Sequence, residues 1–204
     1  MSLVEFHNEK DNFVWSKFRE GNPRAFELIY ERNIQLLANF GRRICTDDDM
    51  VSDAIQDVFV DLWRNRENLG QTDSIKYYLI KAFRRNLVKK LISARKFEYG
   101  ENNLSGFEGE FELSHEVMIM DKEYETEKIE RLIAHLGALP PRQKEALFLR
   151  FYGELNYSEI AKIMEINQQS AYNMVFRALE VLRKELTLSL SALSVLLNMF
   201  FESL

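Results

Sequence analysis

The chain has 204 residues, 46% of them apolar, with eight glycines and three prolines, a composition that excludes a disordered chain or a turn-rich β fold and predicts a mostly helical protein of one large or two small domains. The formal net charge is -5, and a single cysteine, Cys45, leaves no internal disulfide or multi-cysteine metal site and fits a reducing cytoplasm. Acids stand where a secretory signal would carry its apolar core, and no apolar run reaches bilayer length, so no direct membrane insertion is expected.

The first predicted helix is "PRAFELIYERNIQLLANFGRRI", with apolar residues at Phe26, Ile29, Tyr30, Leu36, Leu37, Phe40 and Ile44 and a start at Asn22 and Pro23. The second, in "DDDMVSDAIQDVFVDLWRNRE", sets Val51, Ala54, Ile55, Val58, Phe59 and Leu62 on one face, with Asp47 to Asp49 where acids favour a helix N-terminus. Its outward face carries Asp53, Gln56, Asp57, Val60 and Asp61, with Trp63 at the boundary. Acids repel DNA, and a tryptophan beside them fits a protein partner or the core.

The third helix lies in "SIKYYLIKAFRRNLVKKLISARK", which holds eight lysines and arginines and no acid. At 100° per residue Ile75, Leu79, Ile80, Phe83, Leu87 and Leu91 can face a core. Tyr77, Tyr78, Lys81, Arg84, Arg85, Lys89, Arg95 and Lys96 share the other side, with Lys76 and Lys90 left to snorkel. Cations neutralise phosphates and aromatic rings receive unstacked bases, so this face suits DNA being opened.

Charge divides the chain in three. Residues 1–97 hold seventeen basic and fourteen acidic side chains, residues 98–130 two and eleven, and residues 131–204 eight and seven. The middle stretch also holds three glycines and reads as an acidic linker, at least as far as His115. Beyond it four short helices are predicted to Leu186, with Pro140 and Pro141 at the first junction and Gly153 at the second. "YSEIAKIM", a turn through Glu165, Ile166 and Asn167, and the helix from Gln168 form a helix-turn-helix, with Asn167 as its N-cap. Gln168, Gln169, Ser170, Tyr172, Asn173 and Arg177 would face base edges, while Arg183 and Lys184 would meet phosphates. The apolar tail 187–204 places Leu190, Leu193, Leu197, Phe200 and Leu204 on one stripe with Leu186, as a helix packed on its own domain or a surface for a partner.

Two segments in order now resemble a known family. "SDAIQDVFVDLWRNRE" and the basic segment are similar to conserved region two of bacterial sigma factors, and "LPPRQKEALFLRFYGELNYSEIAKIMEINQQSAYNMVFRALEVLRKEL" to region four. The order resembles the short extracytoplasmic-function (ECF) sigma factors, over residues 22 to 186. Tyr172 and Met174 stand where the family usually has basic residues, which looks closer to Bacteroidetes-type members.

The resemblance implies an all-α fold of two small helical domains: an N-terminal helical bundle over 1–97, and a C-terminal four-helix domain with the helix-turn-helix over 131–186. It implies that Asp53, Gln56, Asp57, Val60 and Trp63 dock on the β′ clamp helices of core RNA polymerase. It implies that Asn68 to Tyr78 capture the non-template strand of the promoter −10 element, with Lys81, Arg84 and Arg85 on its backbone. Region four's second helix would read the −35 element, the linker would thread the polymerase channel, and an anti-sigma factor would be a further partner. No catalytic constellation, phosphate-cradling glycine loop or metal spacing accompanies these residues, so neither catalysis, cofactor nor metal is expected. Two rivals stand beside this reading: a helix-turn-helix regulator that binds duplex DNA without polymerase, and a helical adaptor without DNA contact.

Overall fold

A computed structural model describes residues 9–99, 111, 126–186 and 190–202, and the regular structure in them is helical throughout. The chain divides into two compact units, Met1–Gly109 and Glu110–Leu204.

In unit 1, α1 (Asp11–Arg19), α2 (Pro23–Arg42), α3 (Asp48–Asn65) and α4 (Ile75–Tyr99) surround one core, and a 3-10 turn (Arg66–Asn68) follows α3. Asn22 caps α2 by accepting from the Arg24 and Ala25 amides, and Asp47 caps α3 through the Met50 amide. Ile75, Leu79, Ile80, Phe83 and Leu87 of α4 are buried, as their spacing predicts, while Leu91 is half-buried. Three helices meet at Gly41, where a Cβ would lie 2.7 Å from Val51 Cγ1 and 2.8 Å from Phe83 Cζ. Helix α1 is an addition to the predicted elements. Nine residues give too short a pattern to stand out, yet Val14, Trp15 and Phe18 are wholly buried.

Unit 2 packs α5 (Thr126–Ala138), α6 (Pro141–Phe151), α7 (Tyr157–Ile163) and α8 (Gln168–Leu186) around Leu132, Leu136, Leu147, Phe148, Ile160, Val175, Ala178 and Leu182. Helix α7 opens on a capping box between Asn156 and Glu159. It closes with Glu165 left-handed (φ 55°) and the Ile166 amide bonded to the Ala161 carbonyl at 2.9 Å. Arg142 donates to the Met164 carbonyl at 2.8 Å, and Asn167 caps α8 by accepting from the Ser170 amide at 2.7 Å. The turn between α7 and α8 is thus tied at both ends.

Helix α9 (Leu190–Glu202) lies against α8 and α6 and buries Leu193, Leu197 and Phe200. That covers part of the predicted tail stripe; Leu204 lies outside the described residues. Most of the acidic stretch lies outside them too. Its end differs from the expected boundary, since α5 starts at Thr126. Phe111 differs as well: a tether would leave it exposed, but it is 1% exposed and its ring centroid lies 5.6 Å from that of Phe148. Burial of a large aromatic ring is a substantial apolar gain, which the acidic composition around it does not reveal.

Candidate functional site

On α3, Asp53, Gln56, Asp57 and Val60 fall at i, i+3, i+4 and i+7 and form one exposed face, to which Asp61 adds a third carboxylate. Val60, 45% exposed, is the apolar centre of that face. Trp63 lies at its edge. Its ring is half-buried against Phe26 (centroids 5.1 Å) and Phe18 (6.3 Å), with the Arg66 guanidinium 4.7 Å from its centroid.

Between α3 and α4 runs a groove of about 930 Å³, with Asp53, Asp57 and Asp61 on one wall and Arg85, Lys89 and Lys90 on the other. Lys90 bridges it to Asp57 at 2.8 Å. The hydrogen bond from Lys90 holds the Asp57 carboxyl below its usual range, and one from Asn86 assists. Sequence periodicity leaves Lys90 to snorkel, and the ion pair gives its ammonium an anchor.

The predicted −10 residues divide. Tyr78 and Arg85 face the groove and its acids, whereas Lys81 donates to the Tyr77 hydroxyl at 3.3 Å and lies 5.7 Å from that ring's centroid. Burial, then the Asp61 charge, pushes the Tyr78 phenol above its usual value. Lys81 and Arg85 are exposed and Arg84 is half-buried. Asn68, exposed, ends the 3-10 turn. The loop that follows is tied to α1: Trp15 Nε1–H donates to the Gly70 carbonyl at 2.9 Å, and Asp11 Oδ2 accepts from the Ile75 amide at 2.7 Å. The Trp15 ring also packs on Tyr78, at 5.0 Å between centroids. Sequence reasoning missed Asp11 and Trp15, whose partners lie 64 and 55 residues away.

On α8, Gln168, Gln169, Tyr172, Arg177, Arg183 and Lys184 are exposed, and Ser170 and Asn173 half-buried. Gln169 donates to Asn173 at 3.0 Å, and Arg183 pairs with Glu180 at 3.1 Å. The face is more aromatic than its polar residues imply. Tyr172 packs edge-on to Tyr157 (5.3 Å) and stacks on Phe176 (6.0 Å, 14° between planes), and Arg150 lies over Tyr157 at 5.2 Å. Phe176, 46% exposed, was not among the predicted contacts, although its i+4 spacing from Tyr172 marks it.

Among the described residues, no group of three or more histidine, cysteine, aspartate or glutamate side chains could hold a metal ion, and no helix is long and apolar enough to cross a membrane. A basic, aromatic helix in one unit and a helix-turn-helix in the other define a DNA-binding protein of two helical units. Residues 29–97 match the family "Sigma-70 region 2" and residues 129–182 match "Sigma-70, region 4", together well over half of the chain. The chain belongs to the sigma-70 family, in its ECF group, and its function is that of an RNA polymerase sigma factor, which brings the core enzyme to promoter DNA.

Relatives extend along most of its length. The "ECF RNA polymerase sigma factor SigK" of Mycobacterium ulcerans is 22% identical over 178 residues, 84% of this chain and 91% of the relative. The "RNA polymerase sigma-H factor" of Pseudomonas aeruginosa is 24% identical over 184 residues, 87% and 94% of the two chains. Two solved structures share the fold: CnrH, in complex with the cytosolic domain of CnrY (TM-score 0.55, 17% identity, 88% of this chain and 98% of that one), and RpoE from Bartonella quintana, in complex with the anti-sigma factor NepR (TM-score 0.55, 19% identity, 80% and 98%). None of these four speaks to the Bacteroidetes-type likeness of α8.

Proposed function

We propose that three surfaces divide the work of this sigma factor. Asp53, Gln56, Asp57 and Val60 on α3 receive the β′ clamp helices of core polymerase, with Trp63 bracing the edge of that face against Phe18 and Phe26. Asn68, Tyr77, Tyr78, Lys81, Arg84 and Arg85 capture the opened −10 strand, the tyrosines offering planes to unstacked bases and the cations meeting phosphates. Gln168, Gln169, Ser170, Tyr172, Asn173 and Arg177 on α8 read the −35 element, with Arg183 and Lys184 on its backbone. Residues 1–97 form the polymerase and −10 module and α5 to α8 the −35 module, with the acidic stretch from 98 to the start of α5 as the linker between them.

The observation that carries this division is the placement of opposite charge on neighbouring helices: carboxylates on α3, cations on α4. A phosphate-binding helix beside a phosphate-repelling one, the two forming the walls of one groove, fits a protein that holds DNA with the first and a protein with the second. The chain contributes no catalysis of its own and works in the cytoplasm. An anti-sigma factor is the expected regulator, the Bartonella quintana neighbour having been captured with one.

The test is transcription by core polymerase from promoters enriched out of a random-sequence pool, with and without this chain. Specific transcripts must require it. A shift of duplex promoter by the chain alone, as strong as with core enzyme, would favour a conventional helix-turn-helix regulator instead.

A further inference from the structure

The segment Asn68 to Tyr78, which runs from the end of the 3-10 turn through the loop 69–74 into the first turn of α4, is the part of unit 1 proposed to grip the −10 strand. Its internal hydrogen bonds are local: the Ser74 amide donates to Thr72 Oγ1, and the Tyr77 amide to Ser74 Oγ. Bonds of this span set a turn but do not fix where the turn sits on the unit. Three contacts that do so come from one helix, α1, and from two of its residues. Trp15 binds the Gly70 carbonyl through its indole N–H and packs its ring on Tyr78. Asp11 takes the first amide of α4 at Ile75, an unpaired donor at a helix N-terminus where a carboxylate is favoured by the dipole as well. Helix α1 lies outside residues 29–97, the stretch matched by region 2.

We infer that α1 is the seat of the −10 capture loop, with Asp11 and Trp15 as positioning residues for promoter opening. The inference rests on the proposed role of Asn68 to Tyr78. It differs from a packing role for α1 in what it asks of the two side chains. Packing needs the Val14, Trp15 and Phe18 hydrocarbon, all wholly buried. Seating the loop needs a carboxylate or amide oxygen at position 11 and an N–H at position 15.

The experiment uses the full chain with core polymerase and measures three things for each variant: affinity for core, affinity of the holoenzyme for a single-stranded non-template −10 oligonucleotide, and permanganate reactivity of thymines on the duplex promoter. Asp11→Ala and Trp15→Phe each remove one hydrogen bond and are expected to weaken oligonucleotide binding about fivefold, with core affinity unchanged. Asp11→Asn, which keeps an acceptor oxygen, restores binding. Leu37→Val, a truncation in the core at a residue of α2 that makes none of these three contacts, controls for lost stability and leaves oligonucleotide affinity at the wild-type level.

If Asp11→Ala and Trp15→Phe leave oligonucleotide binding and permanganate reactivity intact, or lower core affinity in parallel, the inference is overturned. The same follows if Asp11→Asn behaves as Asp11→Ala. Tyr77→Ala and Asn68→Ala separate the two readings: if they too are without effect, the proposed −10 role of the loop falls first, and the seat falls with it.

Discussion

Trp63 separates two accounts of α3. As a polymerase anchor it would lose binding energy and little stability when truncated; as a strut at the edge of the face it would do the reverse. The ring meets Phe26 at 5.1 Å and Phe18 at 6.3 Å, and aromatic pairs of this kind contribute about 0.5–1.5 kcal/mol each. Arg66, at 4.7 Å from the ring centroid, adds about 0.5–1 kcal/mol. A fully buried tryptophan truncated to alanine costs about 3–5 kcal/mol, so a half-buried one with these neighbours should cost about 2–3 kcal/mol. That is roughly a thirtyfold or greater rise in the unfolded fraction, readable as an earlier midpoint in urea for unit 1. Val60→Glu is the counterpart. At a side chain 45% exposed it should move stability by less than about 0.5 kcal/mol, yet it places a carboxylate at the apolar centre of the docking face and should weaken core binding by about 2 kcal/mol. Both quantities come from one preparation, by urea titration and by fluorescence competition for core. If Trp63→Ala unfolds at the wild-type urea concentration while core binding collapses, the ring is an interface anchor and the packing argument is wrong.

Gly41→Ala sets a helix-propensity gain of about 1 kcal/mol against overpacking of about 1–3 kcal/mol on Val51 and Phe83, so a lower melting temperature is expected, relieved by a second change, Val51→Ala. A higher melting temperature would mean that those side chains yield freely. If Tyr172 and Phe176 touch thymine methyls, −35 DNA with deoxyuridine for thymidine should bind holoenzyme about fourfold more weakly per buried methyl. The doubly substituted Tyr172→Ser, Phe176→Ser protein should not distinguish the two DNAs, and equal binding of both by the unsubstituted protein would refute the contact. Burial, reinforced by the Asp47 and Asp48 charges, pushes the Cys45 thiol above its usual value, so it should react slowly with a thiol reagent at neutral pH and quickly in urea. Fast labelling of the folded protein would contradict the burial.

What could be read from the chain alone was what depends on neighbours in sequence. Asn22 and Asn167 announce their helices because a short polar cap must precede an apolar run, and both accept the amides expected of them. The core side of α4 follows from a 100° step, and five of its six expected residues are buried. Side chains whose partners lie far along the chain were illegible. Asp11 looks like one more surface acid until the amide of Ile75 is beside it, and Phe111 looks like part of a tether until Phe148 is found against it. Trp63 lies at the boundary of an amphipathic helix, where periodicity cannot choose a side; Phe18 and Phe26, on two other helices, make the choice.

Helix α9 lies beyond the residues matched by region 4, yet it closes over α8 and α6 and buries Leu193, Leu197 and Phe200, while the aromatic ladder of Tyr172 and Phe176 stays exposed. A chain cut at Leu186 would therefore keep every side chain proposed to meet the promoter and bare an oily back. Such a fragment would clump before it misread anything, and its silence in a transcription assay would reflect poor solubility rather than a lost grip on DNA.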